Sequence, residues 1–279
     1  MALVVKLLGG LGLGYLALVL AVALGQGALL FPRAATGPAP DLPAGATALA
    51  LDLPGGDRLH GQMIPAARGG GAERPLVLGF GGNAWNAAAM ALYLHQVLPD
   101  HDVASFHFRG YTPSTGRPSA AALLADAVAV HDHLQARAGP RPVVAVGFSI
   151  GTGPAAHLAA RRALAGVVLV TPFDDLTTVA RQHYPFLPVR ALFRHPMTPS
   201  EDLAAAIAPV ALISAARDSI IPPARAQALA DALRGSRPDA VVLSRQIDAG
   251  HNDIYADPTF RAALRGAILQ FETPGRNGP

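Results

Sequence analysis

Six short apolar runs, each followed by a longer alanine-rich or polar stretch, constrain the fold of this chain more than any other feature. The runs are almost continuously apolar, which is typical of strands that are covered on both faces of a sheet. The stretches between them are long enough for helices, so strands and helices alternate along the chain. The sequence therefore predicts an α/β fold with a mostly parallel, doubly wound sheet. The predicted strands are residues 75–80, 103–108, 143–148, 166–171, 209–215 and 240–247.

The N-terminal segment is a second constraint, because residues 7–24 carry no charge and the apolar character continues to Phe31. One helix of this length crosses a hydrocarbon layer about 30 Å thick. We interpret residues 1–31 as a membrane anchor, and a signal peptide is the alternative because Lys6 precedes the run. Since Lys6 and the amino terminus face only Arg33 on the far side, we expect a single-pass protein of a bacterial inner membrane with its body outside the cytoplasm.

The remainder of the chain divides into a linker and one large body. Residues 32–46 are rich in proline and glycine, which favours a linker because neither regular structure propagates through them. Residues 47–273 are predicted to form one domain that opens with a hairpin at 47–64. Residues 172–205 interrupt the strand–helix alternation with five prolines. We interpret them as a cap inserted over the strand ends, where it would shape a substrate pocket.

Charge and composition exclude several classes of function. The net charge is only +3, and the arginines form no basic stripe, so no nucleic-acid partner is indicated. The chain contains no cysteine, which removes disulfides, zinc–thiolate sites and a cysteine nucleophile. His131 and His133 lie two residues apart on a predicted helix, so they face different directions and make a poor metal site. We therefore expect neither a metal nor an organic cofactor.

Ser149 is the strongest candidate for chemistry. It lies between Gly147 and Gly151, where the predicted strand 143–148 meets an alanine-rich segment. Gly-x-Ser-x-Gly between a buried strand and a helix is the pattern of a nucleophile elbow, whose tight turn lifts the hydroxyl clear of the sheet. Side chains at the two glycines would collide in such a turn. The alternative is a serine that caps the helix, but a cap does not require a glycine on each side.

A serine nucleophile needs a base, and the base needs a carboxylate that orients it. His251 follows the last predicted strand, and Asp218 follows the strand at 209–215. These positions give the chain order Ser, Asp, His that accompanies a nucleophile elbow. Asp248 and Asp253 are alternatives because they lie close to His251 in sequence. We prefer Asp218, since close sequence neighbours are badly aimed for this hydrogen bond.

Acyl transfer also requires donors for the negative charge that develops on the carbonyl oxygen. The main-chain N–H of Ile150, directly after the nucleophile, is one candidate. The second is expected from the loop after strand 75–80, where Gly81 and Gly82 allow the amides to turn inward. We assign this donor to Asn83, for which an ordinary Gly-Asn turn is an equally supported alternative.

Taken together, the motifs resemble the α/β-hydrolase superfamily, and within it the membrane-anchored, depalmitoylase-like and serine-aminopeptidase-like branch. The resemblance implies an α/β-hydrolase fold with Ser149 as the nucleophile, His251 as the base and Asp218 as the acid. It also implies that Asn83 and Ile150 provide the oxyanion amides. The matching segments, within residues 75–255, are FGGNAWN, SFHFRGYTPSTGRPS, GFSIGTGPAA, TPFDDLTTVARQHYPFLPV, ARDSIIP and AGHNDIY.

The chain departs from this family at two places. Members usually have His-Gly where Gly81-Gly82 stands here, and again where Ser214-Ala215 stands. Because the oxyanion donor is a main-chain amide, the missing first histidine should reduce the rigidity of the loop more than it removes the donor. The segment FRGYTPSTGRPS looks like the Arg-Gly-Tyr loop of the family, which supports the site without performing chemistry.

The sequence therefore predicts a serine hydrolase that cleaves an ester, thioester or amide of a small-molecule or acylated substrate through an acyl-enzyme intermediate. One alternative is a catalytically silent scaffold or binding protein, because common folds host unrelated roles. Another is an acyltransferase, which uses the same chemistry with a different acceptor. The sequence leaves the oligomeric state open.

Overall fold

The computed structural model describes residues 1–69 and 74–272, so the predicted limit of the body at residue 273 lies outside the described residues. Within them, one eight-stranded sheet has the order β1-β2-β4-β3-β5-β6-β7-β8. The first two strands pair antiparallel, β2 pairs antiparallel with β4, and all other pairs are parallel. The strands are β1 (Thr47–Asp52), β2 (Arg58–Ile64), β3 (Leu76–Phe80), β4 (Val103–Phe106), β5 (Val143–Phe148), β6 (Gly166–Val170), β7 (Val210–Ala215) and β8 (Val241–Ile247).

Helices cover both faces of this sheet. Leu76 and Leu78 of β3 belong to the core on one face, which also contains Leu158 and Leu229, while Val77 points to the opposite core with Phe260. This alternation is the normal consequence of the two-residue period of a strand. The helices are α1 (Ala2–Leu30), α2 (Ala87–Val97), α3 (Ala120–Ala138), α4 (Thr152–Arg161), α5 (Leu176–His183), α6 (Val189–Leu192), α7 (Pro199–Ala205), α8 (Pro223–Ser236) and α9 (Pro258–Glu272).

The prediction of an α/β fold with a mostly parallel sheet is confirmed. Each of the six predicted strands contains an observed strand, and the 47–64 hairpin is formed by β1 and β2. The observed β4 ends at Phe106, two residues before the predicted end. The chain turns away there, because the N–H of Tyr111 donates to the carbonyl of Phe108 and the N–H of Ser114 donates to that of Tyr111.

The N-terminal helix α1 is long and apolar enough to cross a membrane, with a mean hydropathy of 2.3 over an 18-residue window within Ala2–Ala35. Its residues 2–18 are exposed in the isolated chain. The C-terminal part of α1 lies against the body, where Ala23 is buried and Phe31, just beyond the helix, is only 2% exposed. The predicted linker begins with a short 3₁₀ turn, Arg33–Ala35.

The segment that interrupts the strand–helix alternation contains three helices with different surroundings. The first two, α5 and α6, lie over the carboxyl ends of the strands and contribute to a cavity beside Ser149. The third, α7, packs against α4 and α8, and its Leu203 belongs to the main core. We call residues 172–195 the cap from here on, because this part of the segment borders the cavity.

Candidate active site

The turn after β5 places Ser149 in a strained backbone conformation, with φ of +52°. A non-glycine residue adopts this left-handed region only where the surrounding structure holds it there. A Cβ atom at Gly147 would lie 2.5 Å from the carbonyl oxygen of Gly151, and one at Gly151 would collide with the main-chain oxygen of Phe80. Glycine is therefore required on both sides of Ser149, as in a nucleophile elbow.

Ser149, His251 and Asp218 form a continuous hydrogen-bonded chain. The Nε2 atom of His251 lies 3.0 Å from the Ser149 Oγ, and its Nδ1 atom lies 2.6 Å from Asp218 Oδ2. An ionised carboxylate only accepts hydrogen bonds, so the imidazole proton belongs on Nδ1 and leaves Nε2 to accept from the serine hydroxyl. All three side chains are buried. This arrangement is able to move the hydroxyl proton onto the imidazole.

The Asp218 carboxylate is itself held in place. Its Oδ1 atom accepts hydrogen bonds from the main-chain N–H groups of Ile220 at 2.9 Å and Ile221 at 2.7 Å. These two bonds fix the carboxylate plane and leave Oδ2 for His251. The turn after β7 therefore both supplies the carboxylate and aims it.

The two alternative carboxylates lie elsewhere. Asp248 pairs with the Arg217 side chain and is exposed. Asp253 is also exposed, and among the described residues no hydrogen bond joins either carboxylate to His251. Of the three carboxylates that the sequence proposes, the structure thus brings only Asp218 to the imidazole.

The loop after β3 runs directly beside Ser149. A Cβ atom at Gly82 would lie 3.8 Å from the Ser149 Cβ, which is ordinary van der Waals contact. The carbonyl of Asn83 accepts a hydrogen bond from the Tyr111 hydroxyl at 2.7 Å, and its side-chain amide donates to the carbonyl of Leu30 at 3.4 Å. Within the described part of the chain, its main-chain N–H donates to no other residue. This amide is therefore available to an oxyanion.

Tyr111 is the support for this loop that sequence reasoning did not specify. It is only 2% exposed, and burial raises the pKa of its phenol, so the hydroxyl stays protonated and donates. The preceding Arg109 forms ion pairs with Asp126 at 2.5 Å and with Asp57 at 3.1 Å, which fasten the Arg-Gly-Tyr loop to the body. The tyrosine of the Arg-Gly-Tyr motif was the sequence signal for this support. The sequence did not indicate that its hydroxyl would bind Asn83.

An apolar cavity of about 220 Å³ extends from Ser149 between the cap and α1. Its lining includes Ile150, Ile221 and several cap residues, and it contains no Asp, Glu, Lys or Arg among the described residues. The polar side chains that line it are Gln26, Asn83, Ser149, His183 and Tyr184. Six lining residues belong to α1, a participation that sequence reasoning missed: Val19, Val22, Ala23, Gln26, Leu29 and Leu30.

Outside this site, His131 and His133 make ordinary packing and polar contacts. His131 lies beside Asp132 at 3.1 Å, and the His133 ring meets the edge of Phe106. Across residues 1–69 and 74–272, no three His, Asp or Glu side chains are grouped so that they could hold a metal ion.

Comparison with known proteins identifies the family. A family model described as the alpha/beta hydrolase fold matches residues 76–192. An uncharacterized protein of Mycobacterium tuberculosis is 36% identical over 203 residues, which cover 71% of this chain and 69% of the relative. The chain belongs to the α/β-hydrolase family. The resemblance read from the sequence is thereby confirmed at the level of the superfamily, and its narrower branch stays a prediction.

Two further proteins are similar to this α/β hydrolase. The lysophosphatidylserine lipase ABHD12 of Xenopus tropicalis is 28% identical over 218 residues, which cover 68% of this chain but only 56% of that relative. The structure of the Pyrococcus furiosus esterase Pf2001 covers 85% of this chain and 98% of the esterase, with 15% identity and a TM-score of 0.65. The esterase shares the fold. Family membership together with relatives named lipase and esterase supports hydrolase activity.

Proposed function

We propose that this α/β hydrolase is a serine esterase that cleaves carboxylic esters of apolar acyl groups through an acyl-enzyme intermediate. The observation that carries the proposal is the hydrogen-bonded chain from Ser149 through His251 to Asp218, which ends at an apolar cavity. The nucleophile is Ser149, His251 acts as general base and then as general acid, and Asp218 orients the imidazole. No metal or organic cofactor takes part in these steps.

The reaction proceeds in two balanced halves. The Ser149 Oγ attacks the ester carbonyl carbon while its proton passes to His251 Nε2, and the tetrahedral intermediate then expels the alcohol, which takes up that proton. A water molecule next attacks the acyl-serine, with His251 accepting the water proton and returning it to Ser149 Oγ. The carboxylic acid leaves, and the enzyme is restored.

The negative oxygen of each tetrahedral intermediate is assigned to the main-chain N–H groups of Asn83 and Ile150. The Asn83 amide is supported by its position in the loop beside Ser149 and by the lack of another described partner. Ile150 lies in the first turn after the nucleophile. Loss of one such donor typically costs about 2.7 to 4 kcal/mol of transition-state stabilisation.

The acyl class follows from the lining of the cavity. An apolar wall without Asp, Glu, Lys or Arg stabilises a hydrocarbon chain and gives no partner to a charged acyl group. The relative named lysophosphatidylserine lipase acts, by its name, on a lipid ester, which favours an ester over an amide or a thioester here. Water as the acceptor distinguishes this proposal from the acyltransferase alternative.

A fluorophosphonate probe tests the nucleophile. We expect covalent labelling of the wild-type protein and hydrolysis of p-nitrophenyl butyrate, both lost in Ser149→Ala. The control is Ser244→Ala, which removes an exposed hydroxyl on the edge strand β8 and should leave both signals unchanged. Absence of labelling in folded wild-type protein would instead favour the silent scaffold. Product analysis with added alcohols separates hydrolysis from acyl transfer.

We also propose that α1 is retained as a single-pass anchor (residues 1–31) of a bacterial inner membrane. Residues 32–46 then connect it to a catalytic body, 47–273, that lies outside the cytoplasm and carries the insertion 172–205. The chain has no cysteine, so single cysteines report topology without background. In intact spheroplasts, a membrane-impermeant maleimide should label Ser236→Cys and spare Leu3→Cys, and the reverse pattern would contradict this orientation.

A further inference from the structure

The C-terminal part of α1 is a wall of the cavity as well as part of an anchor. Its inner face presents Val19, Val22, Ala23 and Gln26 to the cavity, at the three- and four-residue spacing of one helix face. Ala23 is 8% exposed, whereas its neighbour Ala21 is exposed on the opposite side. Removing α1 would therefore open one side of the space that begins at Ser149.

Specific polar contacts hold this part of α1 against the cap. The Gln26 side-chain amide donates to the carbonyl of Leu192 at 3.0 Å, and its oxygen accepts from the N–H of Arg194 at 2.8 Å. Farther up the helix, the Tyr15 hydroxyl donates to the carbonyl of Phe186 at 2.9 Å. Such bonds matter more in a bilayer than in water, because no water replaces them there. The helix and the cap thus form one unit.

The length of α1 places the tip of the cap inside the bilayer. A span of about 20 residues is needed to cross the hydrocarbon layer, so a span that starts at Ala2 ends near Ala21. Contact with the cap already begins at Tyr15, through Phe186. The overlap, from Tyr15 to Ala21, corresponds to about 9 Å of helix. A span that starts later, beyond Lys6, increases this overlap.

The charge of the cap suits the same position. The two acidic residues of the cap lie at its start, where Asp174 pairs with Arg225 and Asp175 caps α5. Residues 176–195 of the cap contain no Asp or Glu, and their three arginines are Arg181, Arg190 and Arg194, which are all exposed. Basic side chains are attracted to an anionic lipid surface. Phe186, 59% exposed in the isolated chain, is an apolar residue of the kind that lipid would cover. The cap therefore presents an apolar tip and a basic flank to the bilayer.

We infer that the acyl chain of a bilayer-resident lipid ester passes directly from the membrane into the cavity between α1 and the cap, and that the α1 residues around Ala23 set the length of chain accepted. This inference rests on the proposed esterase activity of Ser149. It makes the membrane helix a specificity-determining part of the enzyme. Short soluble esters reach the nucleophile without filling the wall that α1 provides.

A matched pair of substitutions tests the role of the α1 wall. Ala23→Phe places a ring inside the cavity, and Ala21→Phe adds the same ring on the exposed face. We expect Ala23→Phe to lower kcat/KM for p-nitrophenyl palmitate at least tenfold while p-nitrophenyl acetate changes less than threefold, with Ala21→Phe close to wild type on both. Equal losses on the two esters, or no loss on the palmitate, would overturn the inference.

A measurement on the wild-type protein covers the case in which Ala23→Phe fails to fold. A fluorophosphonate with a dodecyl chain ending in a diazirine is attached to Ser149 and then irradiated. We expect cross-links in the peptide that contains residues 19–30, and cross-links confined to other peptides refute the placement. Failure of the probe to attach to Ser149 is a different result, because it rejects the proposed esterase itself.

The source of the acyl chain is tested with two donors that carry the same palmitoyl group. One is a palmitoyl lysophospholipid held in phosphatidylcholine vesicles, and the other is palmitoyl-coenzyme A in solution. Reconstituted wild-type protein should release palmitate from the vesicles. Release from the soluble thioester alone would show that the chain does not arrive from the bilayer.

Discussion

Replacing Asp218 by Asn tests the orientation of the imidazole, because the two residues have the same shape. The two Asp218 oxygens have different partners: Oδ1 accepts two main-chain N–H groups, and Oδ2 faces His251. An Asn side chain has a single oxygen, which must choose between these partners. The outcome of that choice determines which tautomer His251 adopts.

The structure decides the choice. If the amide NH₂ group turned toward Ile220 and Ile221, the main-chain N–H groups of these two residues would face a donor and lose their acceptor, at a cost of at least about 2 kcal/mol. Fewer than about one molecule in thirty should therefore adopt that orientation. In the rest, the NH₂ group donates to His251 Nδ1, the ring proton moves to Nε2, and Nε2 can no longer accept the serine proton. The tautomer alone lowers kcat by about 30-fold, and loss of the negative charge brings the fall toward about 10⁴-fold.

The assay is hydrolysis of p-nitrophenyl butyrate, with fluorophosphonate labelling measured in parallel. KM should change little, because Asp218 does not line the acyl cavity. The matched control is Asp248→Asn, which neutralises the carboxylate bound to Arg217 and should leave kcat unchanged. A fall of less than tenfold in folded Asp218→Asn protein, or an equal fall in Asp248→Asn, would refute the reasoning.

Three further predictions follow from other contacts. Tyr111→Phe should lower the free energy of unfolding by about 1 kcal/mol, and it should lower kcat by less than the ~10²-fold typical of a lost oxyanion donor. Tyr93→Phe loses a similar bond to Tyr255 and should lower only the free energy of unfolding. Equal kcat values in the two variants would contradict this prediction. Gln26→Leu removes the side-chain bonds from Gln26 that hold α1 to the cap, so activity on p-nitrophenyl palmitate should fall more than activity on p-nitrophenyl acetate. Equal falls on the two esters would argue against this role of Gln26. Burial lowers the pKa of His107 from 6.5 to about 4. The free energy of unfolding should therefore be highest above pH 6.5 and fall by about 3 kcal/mol as the pH falls toward 4, because the unfolded chain takes up the proton first. Denaturant titrations of His107→Asn should show a flatter pH dependence of this free energy over the same range.

The sequence predicted the fold well, because the buried strands carry their own signal. β5 matches its predicted range of 143–148, and the other strands differ at their ends only. The elbow was equally readable, since a collision-free turn between strand and helix requires Gly147 and Gly151. The sequence also singled out Ser149, Asp218 and His251 from chain order, and the structure places these three side chains in contact.

The contribution of α1 to the cavity was not readable from the sequence. An apolar run long enough to span a bilayer has the same composition whether it touches lipid on all sides or packs against a cap on one. The polar side chains within the run, Tyr15 and Gln26, were the only local signals, and their partners in the cap are more than 160 residues away. Contacts at this separation depend on the folded body and not on any local pattern.

The departure at Gly81-Gly82 and the docking of α1 are physically connected. Without the histidine that family members usually carry, the loop beside Ser149 needs other supports, and the structure provides two of them at Asn83. The Tyr111 hydroxyl holds its carbonyl from the body side, and its side-chain amide reaches Leu30, the last residue of α1. The end of α1 therefore contacts the same loop that is assigned to bind the oxyanion. With α1 anchored in a bilayer as proposed, Asn83 gives lipid packing around the helix a direct route to the geometry of the proposed catalytic site.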